Sequence, residues 1–259
     1  MTEIKTHKTN IIRTTATMAY RNLLKTLHNP DELLDVVVQP VLFMFLFSFL
    51  FSGAITGSMN SYLPLLVPGI LMQSLISAAS GSGTQISDDI STGIYDRLKS
   101  LPIPQTAPLA GQLFADILRL IIAATVSLTT GFIIGWRPEA DFGWVTVAVL
   151  LDIFLGWALS WIFALYGLIA KSSTMVESIS LMTMLLLTFL SNAFVPVKTL
   201  PHFMQILVSL NPVSYVISAS HTILNHGIWP TSAWIVLGAG VIVIAIFAPL
   251  TVFFYNRRS

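Results

Sequence analysis

Six long apolar stretches leave this chain little choice of fold. They cover about residues 34–51, 62–86, 107–136, 144–170, 175–195 and 233–255. Each is close to the roughly 20 residues that a helix needs to cross a bilayer. The runs are apolar on all sides and do not alternate, which favours helices over the strands of a membrane barrel. Only 10% of the residues are charged, against about 25% in soluble domains. The sequence therefore predicts an all-α membrane protein with six transmembrane helices.

The first 33 residues are polar and differ from the rest of the chain. Within residues 11–28, apolar side chains alternate with Arg13, Arg21 and Lys25, a pattern typical of a basic helix lying in the membrane interface. Asn29 and Pro30 then break the chain before the first span. We expect a tail with an interfacial helix at 1–33 and a transmembrane domain at 34–259.

Lys and Arg are distributed unevenly between the two sides of the predicted membrane. If both termini lie inside, the connection between spans two and three carries Arg97 and Lys99 on the inner side. The outer connections then carry only Arg137 and Lys198. This bias predicts a multi-pass protein of the plasma membrane with both termini in the cytoplasm.

The longest polar stretch between two spans is DDISTGIYDRLKSLPIP at residues 88–104. Ile86, Ile90, Ile94 and Leu98 recur there at every fourth residue. This spacing predicts a single helix at about 87–101 with one apolar stripe, bounded by the prolines at 102 and 104. Such a helix either rests on the membrane surface or docks into a partner protein.

The region at about 196–230, between spans five and six, has a different pattern. It contains several prolines and two apolar pieces, 203–210 and 213–224, which are too short to cross a bilayer. We expect two half-helices on the extracellular side that enter the membrane and return.

Three ionisable residues fall within predicted spans. Asp116 and Arg119 lie three residues apart on one helix face, either as a latch near a cytoplasmic gate or as an ion pair at the membrane border. Asp152 lies deep in span four, where it has a functional role or pairs with a polar group of another helix. Small residues on span two permit close helix packing or line a central path: Ser74, Ser77, Ala78 and Gly81.

Two of these stretches resemble the membrane subunits of type-2 ABC exporters, in particular the daunorubicin-resistance branch. The first motif consists of Asp89, Gly93, Asp96, Arg97, Leu98, Lys99, Ser100, Leu101 and Pro102. The second consists of Phe194, Pro196, Leu200, Pro201, Asn211, Pro212 and Tyr215. The two motifs lie in the right order on opposite sides of the predicted membrane, and the six-span layout extends the resemblance over the whole chain.

The resemblance implies a permease that pairs with a second permease copy, as a homodimer, and with two copies of an ATP-binding subunit. It implies a coupling helix that fits its apolar stripe into a groove of that ATPase. The coupling residues would be Asp89, Gly93, Ile94, Asp96, Arg97, Leu98 and Lys99. The outer gate motif would be Pro196, Pro201, Asn211 and Pro212.

The sequence contains no GxxxxGK[ST] loop that could hold nucleotide phosphates. ATP and magnesium are therefore expected on the partner, with no cofactor, metal site, enzymatic activity or nucleic-acid contact on this chain. The predicted function is the export of an amphiphilic drug, antibiotic or lipid. Two alternatives stay open, namely export of a lipid-linked polysaccharide and a non-transporting immunity or accessory role.

Overall fold

The computed structural model describes residues 11–28, 34–99, 106–195, 197 and 200–257, and the regular structure in this part of the chain is helical. The helices are α1 (Ile11–His28), α2 (Gln39–Ile55), α3 (Met59–Ser91), α4 (Ile94–Lys99), α5 (Ala107–Ile134), α6 (Phe142–Ile169), α7 (Ser173–Phe189), α8 (His202–Leu210), α9 (Pro212–His226) and α10 (Thr231–Arg257). A π-helical turn, Leu34–Val38, leads directly into α2.

Five helical segments are long and apolar enough to cross a membrane, counting the π-helical turn with α2. They are α2, α3, α5, α6 and α10, which agree with five of the six predicted spans. The remaining predicted span, 175–195, is shorter in the structure because α7 has 17 residues and ends at Phe189. The helices α8 and α9 meet at an angle of 85° and would make a sixth span if the bent pair were counted as one.

The helix α3 is the centre of the bundle. Its 33 residues make a helix about 50 Å long, well beyond the roughly 30 Å of a bilayer's hydrocarbon core. It contacts α2, α5, α6, α7 and α9. Of its most apolar 18-residue stretch, 83% is buried inside the protein. Gly83 on α3 packs against the backbone of Phe163 and Gly167 on α6. A side chain at Gly83 or Gly167 would prevent this crossing, which explains the small residues there.

The prediction of a single helix at 87–101 is wrong. The helix α3 continues to Ser91, and α4 begins only at Ile94. Gly93 has a φ of 69°, in the left-handed region that favours glycine and ends helices. Because the break interrupts the helical periodicity, the four residues do not form a stripe of one continuous helix. Ile86 and Ile90 instead pack inside the protein, against Tyr95 and the ends of neighbouring helices.

The two short helices predicted in the region 196–230 are present as α8 and α9. Asn211, at their junction, accepts a hydrogen bond from the backbone N–H of Val213 at 2.9 Å and so caps α9. Its Nδ2 also donates to the carbonyls of Leu187 and Leu190, both at 2.7 Å. One side chain therefore stabilises the start of α9 and the end of α7. Pro212 occupies the first position of α9, where its missing N–H costs nothing.

The helix α1 forms as predicted and packs along α5. The two helices come close together at Gly111, beside Met18 and Ala19. Asn29 and Pro30, predicted to separate α1 from the first span, lie outside the described residues.

Candidate functional sites around the α3–α4 junction

The predicted coupling residues are divided between two helices. Gly93, Ile94, Arg97 and Leu98 lie at or within α4, where Arg97 is exposed and Ile94 and Leu98 are half-buried. The side chains of Asp96 and Lys99, and residues 100–105, lie outside the described part of the chain. The helix α4 lies at the end of the bundle where α3 stops. We call this end the α4 end.

Asp89, the first residue of the predicted coupling motif, lies in the last turn of α3 and forms ion pairs within the chain. Its carboxylate lies 3.2 Å from Nη2 of Arg21 and 3.0 Å from Nζ of Lys25, both on α1. Because these side chains are partly exposed, each pair contributes up to about 1 kcal/mol. Asp89 thus fastens α1 to the end of α3.

Tyr95 is a residue of the α4 end that the sequence reasoning missed. It is buried, with 5% of its surface exposed. Its hydroxyl donates to the backbone carbonyl of Tyr255 at 2.6 Å, and the two rings pack edge to face with their centroids 5.0 Å apart. The aromatic ring of Tyr95 was the available signal in the sequence, since aromatic side chains usually bury their rings.

Asp116 and Arg119 form a buried ion pair in α5. Asp116 is fully buried and Arg119 is 2% exposed. Ser82 of α3 donates to Asp116 and accepts from Nη2 of Arg119. The Nε2 group of Gln112 on α5 donates to Oε1 of Gln85 on α3 at 2.6 Å. The pair therefore belongs to a polar cluster that joins α3 to α5 inside the protein.

A cavity of about 590 Å³ lies beside this cluster, between α3, α7 and the start of α2. Its polar lining includes Gln39, Ser80, Thr84, Asp88, Arg119, Glu177, Ser178 and Ser180. Ser77, Ala78 and Gly81, three of the small residues noted on span two, also line it, whereas Ser74 does not. The hydroxyl of Ser180 is buried on this wall and has no partner among the described residues. Arg119 is shared by the cavity and the polar cluster.

Asp152 lies on α6 and is fully buried. The hydroxyl of Ser220 on α9 donates to its Oδ1 at 2.5 Å. Of the two alternatives raised by the sequence, contact with a polar group of another helix is present. Oδ2 has no hydrogen-bond partner in the part of the chain that the structure describes.

The outer motif surrounds the junctions of α7, α8 and α9. Pro201 directly precedes α8, and Asn211 and Pro212 connect α8 to α9. Pro196 lies outside the described residues. The hydroxyl of Tyr62 on α3 donates to the carbonyl of Phe194 at 3.0 Å and ties this region to the central helix. Among the described residues, no group of three or more His, Asp or Glu side chains could hold a metal ion.

The chain matches the ABC-2 type transporter family over residues 13–225. It belongs to this family. It is 34% identical, over 96% of its own length and 88% of the relative's, to the daunorubicin resistance ABC transporter permease protein DrrB1 of Streptomyces coeruleorubidus. A second relative is the probable doxorubicin resistance ABC transporter permease protein DrrC of Mycobacterium tuberculosis, at 26% identity over 88% of this chain and 82% of the relative. A third is the inner membrane transport permease YadH of Escherichia coli, at 28% identity over 61% of each chain.

The ABC-2 family match includes α4, the polar cluster, the cavity and nearly all of α9. The chain is therefore a multi-pass membrane permease of the ABC-2 type. The match ends before α10, so the contact between Tyr95 and Tyr255 joins the matched region to a helix beyond it.

Proposed function

We propose that this permease is the membrane part of an exporter that moves an amphiphilic drug out of the cell, driven by a separate ATPase. Two relatives carry drug resistance in their names. In this proposal ATP and magnesium bind to two copies of the ATPase, and the permease converts their motion into transport.

The observation that carries the proposal is the helix α4, a short segment between two spans that follows a glycine break and exposes Arg97. We assign it as the coupling helix. Ile94 and Leu98 would enter a groove of the ATPase, and Asp96, Arg97 and Lys99 would form pairs at its rim. Asp89 would act indirectly, by holding α1 beside the junction.

A second copy of the chain is proposed to cover the open side of the cavity. Glu177 and Ser178 of α7 line the cavity and are exposed in the single chain. A carboxylate facing lipid is costly, so this face of α7 requires water or protein beside it. A homodimer with the two cavities facing each other would meet this requirement.

The proposed cargo site is this cavity. Its volume of about 590 Å³ lies within the range of roughly 300–1,000 Å³ that holds drug-sized molecules. Its walls combine hydroxyls and the carboxylates of Asp88 and Glu177 with apolar contacts from Leu181 and Met184. An amphiphilic cargo would satisfy both kinds of wall.

The α4 end is assigned to the cytoplasm because Lys and Arg are concentrated there in the sequence. The helices α8 and α9 then lie at the opposite side as re-entrant halves. The proline and asparagine motif at their ends would act as the outer gate.

The experiment that tests this function uses the permease co-expressed with its cognate ABC ATPase and purified in detergent. Ile94→Asp places a charge on the face of α4 proposed to enter the ATPase groove, where an unpaired buried charge is strongly unfavourable. Ile94→Leu keeps the side chain apolar and is the matched control. We expect Ile94→Asp to lose co-elution with the ATPase or cargo-stimulated ATP hydrolysis, at an unchanged level in the membrane. Normal assembly, stimulated hydrolysis and export in Ile94→Asp would refute the role of α4.

A further inference from the structure

The joint between α3 and α4 is short and contains a glycine. Only Thr92 and Gly93 lie between the two helices. Gly93 has a φ of 69° and no heavy atom within 4 Å of the position where a Cβ would stand. Because glycine is little restricted in its backbone conformation, this joint is where the direction of α4 relative to the 33-residue α3 can change.

The second residue of α4, in contrast, is held firmly by another part of the chain. Tyr95 donates its hydrogen bond to the carbonyl of Tyr255, near the end of α10. Both side chains are at least 95% buried. A displacement of α4 therefore acts on α10 directly through one short hydrogen bond and an edge-to-face ring contact.

These two tyrosines belong to a small apolar cluster that is separate from the main core. The other buried members are Ile86, Leu109, Leu113, Ala164 and Leu168. They come from α3, α5 and α6, so with Tyr95 of α4 and Tyr255 of α10 the cluster joins five helices at the α4 end. Among the membrane-spanning helices of this cluster, α10 is the least buried, because only 17% of its apolar 18-residue stretch lies inside the protein.

The helix α10 leads from this cluster to the opposite end of the bundle. Its 27 residues span about 40 Å. Along this length it packs against α6 and α9. The helix α9 in turn begins at the junction held by Asn211 and carries Ser220, the partner of Asp152.

We propose that Tyr95 is the residue that transmits the movement of α4 to α10, and through α10 to the bent pair α8 and α9. The inference rests on the proposed function, since it assumes that a partner moves α4. Tyr95 acts as a positioning residue, and its hydrogen bond to the backbone of Tyr255 is the link. Coupling through such a contiguous chain of contacts is physically expected between sites this far apart.

The test compares Tyr95→Phe, which keeps the ring but removes the hydroxyl, with the wild type in proteoliposomes that contain the permease and its ATPase. Tyr20→Phe on α1, where Tyr20 is 63% exposed, is the matched control. The measured quantities are the amount of assembled complex, ATP hydrolysis and doxorubicin transport per ATP hydrolysed. We expect Tyr95→Phe to assemble and hydrolyse ATP normally, while transport per ATP falls about five-fold. This is the fold-change that corresponds to the net free energy of one hydrogen bond. Tyr95→Leu, which also removes the ring contact, should lower the ratio further.

Each other outcome has a distinct meaning. A wild-type ratio of transport to hydrolysis in both Tyr95→Phe and Tyr95→Leu would overturn the transmission role and leave the exporter function intact. Failure of Tyr95→Phe to assemble would also overturn it, because the hydrogen bond would then be a folding contact. If the wild-type complex shows no ATP-dependent transport, the proposed function itself is wrong.

Discussion

Replacing Arg119 by methionine tests whether the buried cluster between α3 and α5 depends on charge neutralisation. The substitution keeps a long side chain but removes the guanidinium from Asp116, whose carboxylate is fully buried. Within the part of the chain that the structure describes, Asp116 would retain the hydrogen bonds from Ser82 and Gln112. Removal of one partner of a buried ion pair costs about 3–5 kcal/mol. We expect Arg119→Met to be destabilised by that amount.

The double variant Asp116→Leu with Arg119→Met separates lost charge pairing from lost packing. It removes both charges and leaves the hydrogen bond between Gln112 and Gln85 intact. Replacement of a complete buried pair by apolar side chains is often neutral. The double variant should therefore recover part of the stability that Arg119→Met loses, with the remainder lost because the Ser82 hydroxyl no longer has its acceptor.

The assay is the apparent melting temperature and the monodisperse fraction of the detergent-purified permease. At roughly 2–4 °C per kcal/mol, the single variant should melt about 6–20 °C below the wild type. Lys171→Met is the control, since this exposed lysine lies outside the cluster and should change stability by less than about 0.5 kcal/mol. A wild-type melting temperature for Arg119→Met, or a double variant less stable than the single one, would refute the reasoning.

Two further predictions concern Asp152 and the orientation of the chain. Asp152→Leu should lose about 1–3 kcal/mol, because the hydroxyl of Ser220 is left without its acceptor, whereas Asp152→Asn keeps an acceptor and should melt near the wild-type temperature. Wild-type melting and export in both variants would remove any role for Asp152. The sequence has no cysteine, so a single introduced cysteine can be labelled specifically. Ser58→Cys should react with an impermeant maleimide on intact cells, and Thr92→Cys only after permeabilisation. The reverse pattern would show that the proposed orientation is wrong.

The length and position of most helices could be predicted from the sequence, because hydropathy and periodicity are local properties. These local properties were enough to predict five spans, α1 and the two short helices α8 and α9. The family could also be predicted, since the motif residues are contiguous or closely spaced. The exceptions lie where an element is terminated by contacts from elsewhere. Asn211, more than 20 residues away, binds the end of α7.

The sites could be predicted only in part. Their residue types were visible, but their partners were decided by the tertiary structure. Asp89 was expected among the residues that couple to the ATPase, and only the tertiary structure shows that it pairs with Arg21 and Lys25, more than 60 residues earlier. The four-residue spacing around Gly93 predicted one helix, because periodicity takes no account of a backbone in the left-handed region. Tyr95 binds Tyr255 across 160 residues, and no local pattern encodes a contact that exists only after the helices have packed.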